Sequence, residues 1–167
     1  GAPDVGEPTH GPLDRVSTNG HSRRGVYISA TFGHIVPTSV SYDEGFFIGN
    51  LGTFPVVPGT EQILKVTPSG KVRTWATGLT TVLGSVWDHH DRLYVLESTT
   101  VPGGPTPLTG RIRRIDRSGR ITMIADGLFL PSGMTLGPDG NLYVSNVGLG
   151  TLSLVGGPGA VPKVRIH

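Results

Sequence analysis

Cysteine is absent from this chain. That excludes disulfides and thiolate metal centres, and it leaves the compartment open. No run of 18 apolar residues occurs, so no helical membrane span is expected. Charge is also scarce: Asp, Glu, Lys and Arg make up 16% of the residues, and the formal net charge is only +2. So small an excess gives no reason to expect a nucleic-acid partner, although eleven of the fourteen cations are arginine. There is no Gly-x-Ser-x-Gly elbow, no Walker motif and no dinucleotide glycine pattern. No signal peptide is visible, and the opening Gly-Ala-Pro-Asp-Val lacks an initiator Met, as a processed end, a tag remnant or a cut fragment would.

Glycine and proline are abundant, with 26 and 14 copies in 167 residues. They fall between short apolar runs, which is the pattern of turns in an all-β protein. The runs also repeat. Leu130-Pro-Ser-Gly-Met-Thr-Leu-Gly-Pro-Asp-Gly-Asn-Leu-Tyr-Val-Ser-Asn146 is the clearest copy. Leu83–Glu97 is a second and Val36–Asn50 a third. The polar residue closing each copy is Asn50, Glu97 or Asn146, at offsets of 47 and 49. A second half-repeat, Gln62–Ala76 and again Arg111–Ala125, turns at Ser69-Gly70 and Ser118-Gly119. Each unit therefore reads as four antiparallel strands, a to d, which is the length and composition of a propeller blade.

The expectation is an all-β propeller with three four-stranded blades per chain, at about 34–77, 80–126 and 129–167. Residues 1–24 read as a partly flexible N-terminal extension, and 25–167 as a half propeller. Val26–Ala30 stands where strand d should stand before the first unit, while Val161–Ile166 matches a strand c with no strand d after it. An orphan c edge and an orphan d strand are complementary. This predicts a homodimer by strand exchange, a six-bladed two-chain ring in C2 symmetry, or a chain awaiting a missing second half.

The Pro131–Asn146 pattern resembles the signature of NHL-repeat and SMP-30/gluconolactonase-like propellers. The loop Gly49–Pro55, followed by Pro58-Gly59-Thr60, resembles more narrowly the ScyD/ScyE family of bacterial, often exported propellers. The resemblance spans about 25–167. Members of that family are usually twice as long. It implies a secreted or extracytoplasmic protein, and SMP-30-like lactonases hold their metal with a Glu/Asn/Asp set.

The long b–c loops (50–61, 97–110, 146–161) and the d–a connections share one face, the default ligand surface of such a fold. Asn50, Glu97 and Asn146 end strand b in each unit. As an all-oxygen set they suit a divalent cation such as Ca²⁺ (or Zn²⁺), which could polarise a lactone or ester carbonyl and activate water. The other reading of the same residues is that they cap strand ends and bond loop backbone. His34, in a d–a connection, is the candidate general base, with Glu97 its catalytic partner. His89-His90 reads as a turn on the opposite face. Ser85, His34 and Asp126 are the residues from which a hydrolase triad would be drawn, though structural hydroxyls explain Ser85 better. Arg111, Arg113, Arg114, Arg117 and Arg120 read as a solvated blade edge. Two functions follow: a metal-assisted lactone or ester hydrolase, or a non-catalytic binding propeller. The second would recognise a small molecule, glycan or protein through Leu51–Thr60 and Ser98–Thr109, with Phe54, Pro55 and Pro58 as a rigid apolar surface.

Overall fold

The computed structural model describes residues 12–28, 32, 35–146 and 161–166. Within them the chain is all-β, in thirteen strands and four antiparallel sheets. β1 (Pro12–Val16) and β2 (Ser22–Tyr27) form a hairpin. The first full sheet is β3 (Pro37–Tyr42), β4 (Phe46–Asn50), β5 (Glu61–Val66) and β6 (Val72–Leu79), paired in that order. The second repeats it with β7 (Val82–Trp87), β8 (Leu93–Glu97), β9 (Gly110–Ile115) and β10 (Ile121–Leu128). The third has β11 (Gly133–Leu136), β12 (Leu142–Ser145) and the two-residue β13 (Lys163–Val164). The repeat read from the sequence is thus one sheet per unit, with the expected a-b-c-d order.

Neither face of such a sheet is polar enough to meet water along strand b. β8, Leu-Tyr-Val-Leu-Glu, is buried at every position. Alternate side chains point to opposite faces, so β8 must be sandwiched. Leu93 and Val95 face the first sheet, where they join Phe47, Ile63, Leu79, Val82 and Ile115. Tyr94 and Leu96 face the third, with Ile112, Leu142 and Val144. Face-to-face stacking of neighbouring sheets is what buries them, at roughly 1.5–3 kcal/mol per large apolar side chain. Phe47, Trp75 and Trp87 meet edge-to-face between the first two sheets, with centroids 4.8–5.7 Å apart. At the inner strands the approach is closer still. Gly49 lies under Val82, whose Cγ1 would stand 2.5 Å from any Cβ added there.

The N-terminal reading needs correction. Residues 12–24, read as part of a partly flexible extension, hold one strand and half of the next. Strand d does not begin at Val26. β2 starts at Ser22, and it is not an orphan, because β1 is its strand c. The turn proves the equivalence. Ser17 N–H bonds the His21 carbonyl and Gly20 N–H the Ser17 carbonyl, as Thr67 and Gly70 do in the first sheet and Asp116 and Gly119 in the second. Gly20, Gly70 and Gly119 all have φ between +83° and +85°, the left-handed conformation that glycine adopts without strain. The hairpin lies against the first sheet through Leu13 and Val26, which pack on Ile48, Leu64 and Val66.

Candidate functional site

The three strand-ending residues do one job three times. Strand b leaves its sheet at Asn50, Glu97 or Asn146, beside the backbone arriving from the previous sheet. Each side-chain oxygen accepts an N–H from that arriving backbone. Val36 N–H donates to Asn50 Oδ1 at 2.6 Å, Thr80 N–H to Glu97 Oε1 at 2.6 Å, and Phe129 N–H to Asn146 Oδ1 at 2.8 Å. Backbone bonds nearby reinforce the clasp, Leu51 N–H to the Val36 carbonyl and Ser98 N–H to the Thr81 carbonyl. A buried N–H without a partner costs about 1–3 kcal/mol, which is reason enough for an acceptor at each of these places. Asn50 also donates through Nδ2 to Glu61 Oε2. Burial raises the Glu61 pKa even though Thr60 and Asn50 bond its carboxylate.

Glu97 is fully buried. Its Oε2 accepts Arg111 Nε at 2.7 Å and Arg113 Nε at 2.6 Å, and its Oε1 accepts one Nη2 from each, at 3.1 and 2.8 Å. Arg113 Nη2 also donates to the Gly78 carbonyl. The register explains the pairing. Glu97 and Arg111 are direct cross-strand partners, and Arg113, two residues on, shares their face. Two of the arginines expected at a solvated edge are therefore two of the three members of a charge cluster around a buried carboxylate. A divalent cation does not fit here: it would stand between two guanidiniums, against a carboxylate whose lone pairs already have five donors. Asn50 Oδ1 accepts two backbone N–H groups, from Val36 and Gly52, and Asn146 Oδ1 accepts one from Phe129. Among the described residues each of the three bonds within its own unit, and none bonds another. Among the described residues, no three His, Asp or Glu side chains converge as a metal-ligand group.

The remaining candidates separate. His34 lies outside the described residues. Among the described residues Ser85 meets hydroxyls rather than a base: its Oγ donates to Ser39 Oγ and Ser41 Oγ, each at 3.2 Å, across the seam between β7 and β3. Asp126 is exposed near Arg111 and Thr109 on the rim of a shallow cavity. His89-His90 is the turn expected. Asp88 shapes it by accepting the N–H groups of His90 and Arg92 and the Arg92 guanidinium. Burial works against the Asp88 carboxylate, but those donors together hold its pKa below the ordinary value.

The long loops carry what sequence reasoning left unjoined. Val56 and Gly103 exchange both backbone bonds, at 2.7 and 3.1 Å, so loop 51–60 is stitched to loop 98–109 as a short bridge between two sheets. Val56 is buried, while Phe54, Val57 and Leu108 stay exposed. Gly59 N–H bonds Thr80 Oγ1, which ties the first loop to the strand entry beside Glu97. The second loop is built on threonine. Thr99 Oγ1 meets Thr109 Oγ1 at 2.9 Å, Thr100 Oγ1 donates to the Thr109 carbonyl, and Thr109 Oγ1 to the Thr106 carbonyl.

Comparison with known protein families and with curated proteins finds no match. Among solved structures, the chain is similar to one described as streptogramin B lyase, with a TM-score of 0.51 and 14% identity over 80% of this chain. The chain spans 40% of that protein's length. Likeness at this identity concerns the fold alone. Together with the stacked four-stranded sheets, it supports a β-propeller fold.

Proposed function

We propose that this chain is a non-catalytic recognition propeller, whose stitched loops 51–60 and 98–109 form the contact surface. The observation that carries the reading is the Val56–Gly103 bridge, which fixes two loops from different blades and leaves Phe54, Val57 and Leu108 exposed on them. Holding loops rigid before binding lowers the entropy cost of association, which is the use such bracing serves. Exposed apolar side chains on a braced loop suit a partner offering apolar groups of its own, a protein or peptide segment before a glycan. The resemblance to NHL-repeat, SMP-30-like and ScyD/ScyE propellers, and the exported location it implies, belong to the same proposal.

The hydrolase reading has less support. Its proposed ligand Glu97 is neutralised by Arg111 and Arg113, and Ser85 is committed to a blade seam. The test uses the full chain with peptide and glycan arrays, and with γ-lactone and p-nitrophenyl ester substrates. Binding to peptides that is lost in Phe54→Ser/Val57→Ser, with no hydrolysis above background, is expected. Hydrolysis that Glu97→Gln abolishes, and that chelator removes, would replace this reading with the enzymatic one.

A further inference from the structure

The three blades offer the same strand-a positions for comparison. Tyr42, Trp87 and Leu136 each pair with the first residue of strand b, namely Phe46, Leu93 and Leu142. Two residues earlier on the same face stand Val40, Ser85 and Met134. In the second and third blades these residues are covered by the inner strands of the blade before. Ser85 bonds Ser39 and Ser41, Trp87 packs on Phe47 at 4.8 Å, and Met134 sits over Gly84. In the first blade the cover is missing among the described residues. Val40 is 53% exposed and Tyr42 62%. They border an apolar cleft of about 650 Å³, whose other wall is the β1–β2 hairpin. The hairpin is the outer, c–d half of a blade, so the cleft has the place of an inner, a–b half.

The far end of the chain carries such a half. The outward face of the third blade presents Gly133, Thr135 and Tyr143. The equivalent positions are Ser39, Ser41 and Phe47 in the first blade, and Gly84, Val86 and Tyr94 in the second. Those two faces, small residue, small or branched residue and aromatic ring, are the ones that seat the next blade. The third face repeats their pattern with no blade on it among the described residues. On the edge away from β11, β12 is paired among the described residues with the two-residue β13, along Leu142 and Tyr143.

We propose that the first blade's bare face is the seat for the β11–β12 ribbon of a second copy of this chain. β1 of the receiving copy takes the place of β13 along that ribbon, so one copy's a–b half and the other's c–d hairpin make one blade. The sequence-based strand exchange is thereby altered from three strands plus one to two plus two. Each copy holds one seat and one ribbon, so two copies satisfy each other and the pair is closed. Five residues of β1 offer a longer ladder than two of β13, and covering Val40 and Tyr42 removes an exposed apolar face.

The register is specified. Arg15 precedes Ser17 by two residues as Arg114 precedes Asp116, and Arg114 pairs with Tyr94, the equivalent of Tyr143. Arg15 of one copy therefore faces Tyr143 of the other. Light scattering of the full chain is expected to give twice the mass of one chain. Val40→Lys/Tyr42→Lys, at exposed positions that leave the fold intact by circular dichroism, is expected to halve it. Arg15→Cys/Tyr143→Cys is expected to oxidise to a covalent dimer, in a chain with no other cysteine. A folded monomer at every concentration, an open series of larger oligomers, or a disulfide closing within one chain would each overturn the proposal.

Discussion

Arg113 grips Glu97 through two parallel hydrogen bonds, Nε to Oε2 at 2.6 Å and Nη2 to Oε1 at 2.8 Å, with the carboxylate fully buried. Such a pair is defined by what its removal leaves behind. Glu97→Gln preserves the shape and an acceptor for Thr80 N–H, but strands two guanidiniums beside a neutral amide. Breaking a buried pair from one side costs about 3–5 kcal/mol. A loss of about 3 kcal/mol is expected here, measured by urea denaturation, since both arginines retain some solvent contact. Loss under 1 kcal/mol would mean that the cluster does not hold the strand end.

Asn50 should behave as a milder copy of the same clasp. Asn50→Leu leaves Val36 N–H without its acceptor and frees Glu61 from a donor. About 2 kcal/mol of destabilisation is expected by the same measurement. Asn50→Asp, which keeps the acceptor but sets two carboxylates together, should cost stability at pH 7 and recover as the pH falls.

The Phe47 ring packs edge-to-face on both Trp75 and Trp87, the chain's two tryptophans. Phe47→Ala opens a cavity between the first two blades, at about 3–5 kcal/mol. Tryptophan emission should shift to longer wavelength as water reaches the seam, while Phe54→Ala, in an exposed loop, should move neither stability nor emission.

Lys163 ties β13 to the a–b turn of its blade by donating to Asp139 Oδ2 at 2.7 Å. The lysine lowers the Asp139 pKa well below its ordinary 3.8, helped by Asn141 and Tyr143, and Asp139 raises that of Lys163 above 10.5. The signs follow. The carboxylate's contribution is full above pH 3.8 and is lost as the pH falls towards the lowered value. The ammonium's is full below pH 10.5 and is lost as the pH climbs through the raised one. Val144 N–H, which bonds the Pro162 carbonyl, reports on β13. In the monomeric Val40→Lys/Tyr42→Lys variant, where β13 keeps its place, its nuclear magnetic resonance chemical shift should step at both extremes, and Asp139→Asn should remove the acid step.

Blade order was legible from sequence because each blade repeats its own apolar alternation and closes its turns with glycine. β1–β2 was not, although its turn bonds are the same. Thr18-Asn19-Gly20 replaces the Ser-Gly that marked the other two hairpins, and Ser22-Arg23-Arg24 lacks the apolar alternation of a strand. The strand-ending trio was found by position, but its chemistry depends on partners that spacing alone does not reveal. Arg111 and Arg113 lie across a thirteen-residue excursion from Glu97. Counting register back from the Ile115–Leu93 pair would have placed Arg111 opposite Glu97. The Val56–Gly103 bridge has no sequence signal, since it joins two irregular loops by backbone alone.

Asn50, Glu97 and Asn146 clasp the backbone that enters each sheet, and on the proposed reading they are not ligands of a catalytic metal. Thermal unfolding of the full chain in chelator and then in excess Ca²⁺ or Zn²⁺, with Glu97→Gln alongside, tests it most directly. An unchanged midpoint across the metal conditions, with a lowered midpoint in the variant under all of them, is the predicted result. A midpoint that rises by several degrees with metal in the parent chain, and does not rise in Glu97→Gln, would contradict it.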